Sequence, residues 1–149
     1  MAYTPSTDIV SSVDGRLNMY VGTATTFVAG DLVGECNDYT GLEKSYEVKT
    51  RNAHAYEAEQ KSLGKKTYGD DTLKAYYTKD QFDRLSGLFE AGDPVYVGIQ
   101  DTANTTTPQF YGVKGFISKV STEVPLGDDA QISITISVLA PATVTFPSP

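Results

Sequence analysis

The sequence contains no tryptophan, one cysteine and one histidine, and each scarcity closes off a class of function. Cys36 alone cannot form an intrachain disulfide, so the fold does not depend on an oxidising compartment. Cys36 and His54 together fall short of the ligand set of a structural zinc site. A nucleophile triad would have to be built around His54, which lies in a polar stretch with no Gly-x-Ser-x-Gly elbow to support it. The nearest approach to a phosphate loop, at Gly64-Lys65, has Glu59 where glycine is required and Lys66 where serine or threonine is required. Gly-Asp pairs at Gly30, Gly69, Gly92 and Gly127 read as turn residues, because none carries the spaced oxygen ligands of a calcium loop. The expectation is a protein that is not an enzyme and needs neither metal nor cofactor.

Long apolar runs and positive charge are also lacking. No stretch of about 18 apolar residues occurs. Residues 1–8 have neither the basic start nor the apolar run of a secretory signal, so no membrane association is expected. Twelve Lys and Arg stand against 19 Asp and Glu, a net charge of −7. Apart from Lys61, Lys65 and Lys66 the cations do not cluster, and gripping phosphates needs clustered cations.

What is present is mostly strand. At 149 residues, 40% of them hydrophobic and ten of them tyrosine, the chain is long enough to bury a core. One domain is expected over residues 1–149. Residues 1–15, rich in Ser, Thr, Pro and Asp, read as an N-terminal arm, and residues 140–149, with three prolines, as an extended C-terminal tail. Patterning predicts strands near 16–21, 31–36, 42–50, 67–77, 94–100, 110–122 and 131–139. The last is the cleanest: Ile132, Ile134, Ile136 and Val138 alternate with Ser133, Thr135 and Ser137. Gly112 and Gly115 within one strand point to a bulge or bend. In 42–50, Leu42, Tyr46 and Val48 share one face, interrupted by Lys44, while Glu43, Ser45, Glu47 and Lys49 share the other. Residues 51–66 are polar and without period, and read as a long loop.

One helix is expected, over about 79–91. Phe82, Leu85, Leu88 and Phe89 make one apolar stripe. Thr78 and Gln81 form a capping box, Gly92 supplies a left-handed stop, and Pro94 forbids continuation.

The order of these parts resembles the major tail tube protein of long-tailed (siphovirus) bacteriophages, a family related in fold to the tube protein of type VI secretion. The resemblance covers about residues 16–140. It rests on strand 42–50, loop 51–66, strand 67–77, and the helix ending Leu-Phe-Glu-Ala-Gly-Asp at residues 88–93. Strand 95–100, the segment Gly-Phe-Ile-Ser at residues 115–118 and the alternating final strand complete it. It implies a mainly β, two-sheet sandwich or barrel-like subunit with a flanking helix. Six copies would form a ring, and rings would stack into a hollow virion tail tube that conducts DNA during ejection. The implied partners are further copies of the chain and the tail tip or baseplate, tape measure and tail terminator proteins. Contact with DNA would be transient and non-adhesive, and assembly would take place in the bacterial host cytoplasm.

The family's use of its long loop for stacking makes Arg51, His54, Tyr56, Glu57, Glu59 and Lys61 the expected inter-ring residues. Strand faces that are polar without being basic make Glu43, Ser45, Glu47, Ser133, Thr135 and Ser137 the expected lumen residues. A solvated sheet surface explains the same faces without a tube. The alternative is a monomeric β-sandwich module binding carbohydrate or protein, for which ten tyrosines without tryptophan are an unspecific sign.

Overall fold

The computed structural model describes residues 16–34, 36–41, 43–53, 55, 57–104 and 106–147. The expected N-terminal arm, residues 1–15, and Leu42, His54 and Tyr56 therefore lie outside the described residues. Among the described residues eight strands and one α-helix follow one another: β1 (Leu17–Gly22), β2 (Cys36–Thr40), β3 (Lys44–Arg51), β4 (Gln60–Tyr68), β5 (Asp71–Tyr76), α1 (Lys79–Ala91), β6 (Val95–Asp101), β7 (Gln109–Glu123) and β8 (Gln131–Pro141). Six strands form a curled antiparallel sheet in the order β1-β6-β7-β8-β5-β2, and β3 pairs with β4 as a separate two-stranded sheet.

The core lies between the curled sheet and α1. Alternation along β8 puts Ile132, Ile134 and Ile136 on this inner face, fully buried, beside Leu73, Val97 and Val113. Met19 and Val21 join from β1, as their spacing predicted. The bulge expected near Gly115 is present: the β7–β8 register shifts between Lys114 and Gly115. A Cβ at Gly115 would collide with the carbonyl oxygen of Ser137, so glycine permits this close approach of two backbones.

The helix begins and ends where its signals lie. Thr78 Oγ1 accepts the Gln81 backbone N–H at 3.4 Å, and Gly92 closes the helix at φ 69°, donating its N–H to Phe89 O. The side chain of Gln81 does not complete the reciprocal cap. It donates instead to Leu32 O at 3.0 Å and accepts from Arg84, whose guanidinium also donates to Val21 O at 2.7 Å. A link between helix and sheet has displaced the local cap. Leu85 is buried and Phe82 and Leu88 pack beside it, but Phe89 is exposed. The stripe that meets the sheet is the three-residue spacing 82, 85, 88, and Phe89 falls off its edge.

Three expected segments end differently. Residues 29–31 form a single 3-10 turn, with Asp31 Oδ2 accepting the Val28 N–H at 3.0 Å, and β2 starts only at Cys36. The expected strand at 67–77 breaks at Gly69 and Asp70, because Gly69 N–H donates to Glu43 O and closes β3–β4 there. The loop expected at 51–66 is confined to 52–59, since Gln60–Tyr68 is β4. Two physical causes hid that strand. The register of β3–β4 shifts between Tyr46 and Val48, which breaks the alternation. Both strands also face solvent, so burial imposes no two-residue period.

On the face turned away from α1, a second small core forms around Tyr20, Phe27 and Val144, with Phe146 against the first two rings. Residues 142–147 run without helix along 25–27, and Thr145 exchanges backbone hydrogen bonds with Thr25 and Phe27. Gln109 pins the same segment twice, donating to Ala142 O and accepting from Val144 N–H, each at 2.9 Å.

At the end of β6, Arg16 meets the buried Asp101 with both ends of its guanidinium, at 2.7 and 3.0 Å. The hydrogen bond to Arg16 holds the Asp101 carboxyl below the ordinary carboxylate range. A lowered folded value stabilises the protein above the unfolded value of about 3.9, and the gain is lost as pH falls through the folded value. Asp101→Asn should therefore lower the melting temperature near neutral pH, with the gap to the unsubstituted protein narrowing below about pH 4. A gap that stays constant with pH would show that the ion pair does not set it.

Candidate assembly surface

The β3–β4 hairpin is an arm with a fixed root and no cover. Asp71, fully buried at the first position of β5, accepts from Tyr39 Oη at 2.9 Å and Tyr111 Oη at 2.7 Å. Burial, followed by the carboxylate itself, raises both phenols above their ordinary range, so both remain donors at physiological pH. Gly41 lies against this node at φ 122°, where a Cβ would collide with the Asp71 carboxylate. The chain thus leaves the curled sheet at Gly41 and returns at Gly69 beside one buried, hydrogen-bonded carboxylate. Nothing in the sequence announces this node. Its three members lie 32 and 40 residues apart, and the pairing of the sheet brings them together.

Beyond the root all eight residues of β3 are exposed. Nine residues of β4 correspond to a length of about 30 Å. Pairing of Tyr46 with Lys66, Val48 with Leu63 and Thr50 with Lys61 places these side chains on one face. Tyr46, Val48 and Leu63 are 50, 58 and 66% exposed. Lys66 Nζ lies 6.0 Å from the Tyr46 ring centroid and 5.9 Å from that of Tyr68. The face that Tyr46 and Val48 share is therefore outside, and it mixes apolar surface with cations. The interruption by Lys44 was the sequence signal for this. Ser45 and Glu47 lie on the opposite face, with Ser45 Oγ 2.9 Å from Thr67 Oγ1.

Among the described residues no three His, Cys, Asp or Glu side chains gather as a metal site would require. No described helix is long and apolar enough to cross a membrane.

No protein-family model matches the sequence, and no curated protein does. Solved structures do match. A chain from the cryo-EM structure of an extracellular contractile injection system, at its PVC sheath/tube terminator in the extended state, aligns with a TM-score of 0.61. It is 15% identical, over 89% of this chain and 95% of that one. A chain from the anti-feeding prophage cap, a tube-terminating cap, aligns with a TM-score of 0.61 at 11% identity, covering 93% and 91%. A chain from the tail of an empty GTA particle, refined with C6 symmetry, gives 0.56 at 11% identity, covering 87% and 96%. The chain has a tail-tube fold.

In this tail-tube fold the expected site residues lie on the β3–β4 arm and on β8. Arg51 ends β3 opposite Gln60, and Lys61 follows in β4, while Glu57 and Glu59 sit in the exposed tip between them. Ser133, Thr135 and Ser137 lie half-buried on the face of β8 away from α1. Their neighbours in register are Lys74 and Thr72 on β5 and Ser121, Lys119 and Phe116 on β7. Glu43 precedes β3, and Ser45 and Glu47 lie within it, on the arm. One expected lumen set lies on β8 of the curled sheet, and the other lies at and within β3 of the two-stranded sheet.

Proposed function

We infer that the chain is a structural subunit of a hollow tail or injection tube. Copies close into rings of six, rings stack, and the lumen conducts DNA in a phage-like tail. The observation that carries this reading is the likeness of the fold to chains of a sheath/tube terminator and a tube-terminating cap over nearly the full length of both partners. Support also comes from an arm that buries nothing within its own subunit, as a part made for a neighbour would. Its tip residues Arg51, Glu57, Glu59 and Lys61, together with His54 and Tyr56, contact the next ring. Ser133, Thr135 and Ser137, or the Glu43, Ser45 and Glu47 set, face the channel. The subunit belongs to the virion tail and is put together in the bacterial cytoplasm. It meets tip or baseplate, tape measure and terminator proteins at the ends of the tube. Residues 1–149 act as one domain.

Negative-stain microscopy of concentrated protein tests the reading: six-fold rings or hollow rods are expected, and a field of uniform small particles would count against it. Conduction without adhesion gives a second expectation. At an ionic strength of about 0.01 M, where charges act over about 30 Å, the protein should leave duplex DNA unshifted in a gel. Tight binding at that salt would contradict a DNA conduit.

A further inference from the structure

The charge of this chain is divided between its parts. Residues 44–68 hold six Lys and Arg against three Asp and Glu, half of the chain's twelve cations in a stretch of 25 residues. The hairpin segment therefore carries +3, and the rest of a −7 chain carries −10. On the arm, Lys44, Lys61 and Lys66 share the face that exposes Tyr46, Val48 and Leu63.

A surface of matching apolar character and opposite charge exists elsewhere on the subunit. Tyr77 N–H donates to Ala130 O at 2.8 Å, which draws the end of β5, the start of α1 and the β7–β8 turn together. That end exposes Tyr76, Tyr77, Val124 and Leu126, with Leu126 wholly open to solvent. Around them stand the exposed carboxylates of Asp80, Glu123, Asp128 and Asp129. Lys79, which follows Tyr76 and Tyr77 closely in sequence, is paired with Asp83 at 3.1 Å. An apolar patch of this kind, rimmed by charge, is the usual form of a protein contact.

The two surfaces lie at opposite ends of β5. The arm returns to the body at Gly69, just before Asp71, and the acidic end follows Tyr76, about 17 Å along the strand. One subunit cannot present both to the same partner surface, so a contact between them is heterologous and propagates from copy to copy.

We propose that the cationic apolar face of the β3–β4 arm docks on the acidic apolar end formed by Tyr76, Tyr77, Val124 and Leu126 of a second copy of this chain. This rests on the tube reading and names the receiving surface within it. Charge sets the polarity of the contact: arm meets arm with repulsion, and acidic end meets acidic end likewise. Apolar side chains at the centre then exclude water.

Charge reversal with complementation tests it. One variant carries Lys44→Glu, Lys61→Glu and Lys66→Glu; the other carries Asp80→Lys, Asp128→Lys and Asp129→Lys. All six positions are exposed, and circular dichroism checks that both variants fold. Each alone should lose about tenfold or more of the assembled fraction, because like charges then meet at every contact. Mixed one to one, they should co-assemble, since each arm finds its opposite only on the other variant. Either variant assembling alone like the unsubstituted protein would overturn the proposal, as would failure of the folded pair to recover on mixing. Should a variant not fold, the unsubstituted protein still decides: raising salt from about 0.05 to about 0.5 M should weaken its assembly. Assembly that strengthens with salt would overturn the proposal too. If the unsubstituted protein forms no assembly at any salt, the tube reading itself fails, whereas salt-insensitive tubes would sink the charge pairing alone.

Discussion

Removing residues 44–68 and joining Glu43 to Gly69 through a short glycine-containing turn should give a soluble, folded subunit that forms no tubes. The expectation of folding comes from the core, to which neither β3 nor β4 contributes a buried residue. It also comes from the root, where Glu43 O and Gly69 N–H already lie within hydrogen-bonding distance at 3.0 Å. Melting should remain cooperative, with the Tyr39–Asp71–Tyr111 node undisturbed. Loss of assembly should be complete, because the proposed contact uses the three large apolar side chains that the arm exposes. A shortened chain that still builds long tubes would show that other surfaces hold the rings together. A chain that no longer folds would show that the arm is part of the fold.

A large loss of stability from a single substitution is expected at Leu85. It is the helix residue fully buried against the curled sheet, and Leu85→Ala leaves a cavity that α1 can close only by moving. A cost of about 2–5 kcal/mol is expected. For a domain of this size that corresponds to a fall in melting temperature of about 5–15 °C. Phe89→Ala removes more atoms but from an exposed position, and should cost clearly less. Asp83→Ala, on the solvent side, should leave melting nearly unchanged. Equal losses for Leu85 and Phe89 would mean that the helix packs through a different face.

The contrast between these two residues shows how far the pattern alone could lead. A stripe at helical spacing gave the correct element and the correct ends, since capping at Thr78 and the left-handed stop at Gly92 are local events. It could not tell Leu88 from Phe89, because the sheet meets the helix along a line narrower than the stripe. Strand β8 was legible for a related reason: burial on one face imposes alternation, and Ile132, Ile134 and Ile136 satisfy it. The arm has no buried face, so its second strand left no alternation to read and looked like a loop. The buried carboxylate of Asp71 was invisible because its tyrosine partners come from distant strands. The assembly surfaces were the least legible part. Tyr46, Val48 and Leu63 look like core residues in a sequence, and only the folded subunit shows that they are exposed.

The measurement that bears most directly on the proposed assembly is the mass of the chain in solution, by analytical ultracentrifugation or native mass spectrometry, at rising concentration and low salt. Species at six times the 16.1 kDa chain mass and at multiples of that ring are expected, with six-fold symmetry in averaged images. A chain that stays at 16.1 kDa over the whole range, with its arm intact, would contradict it.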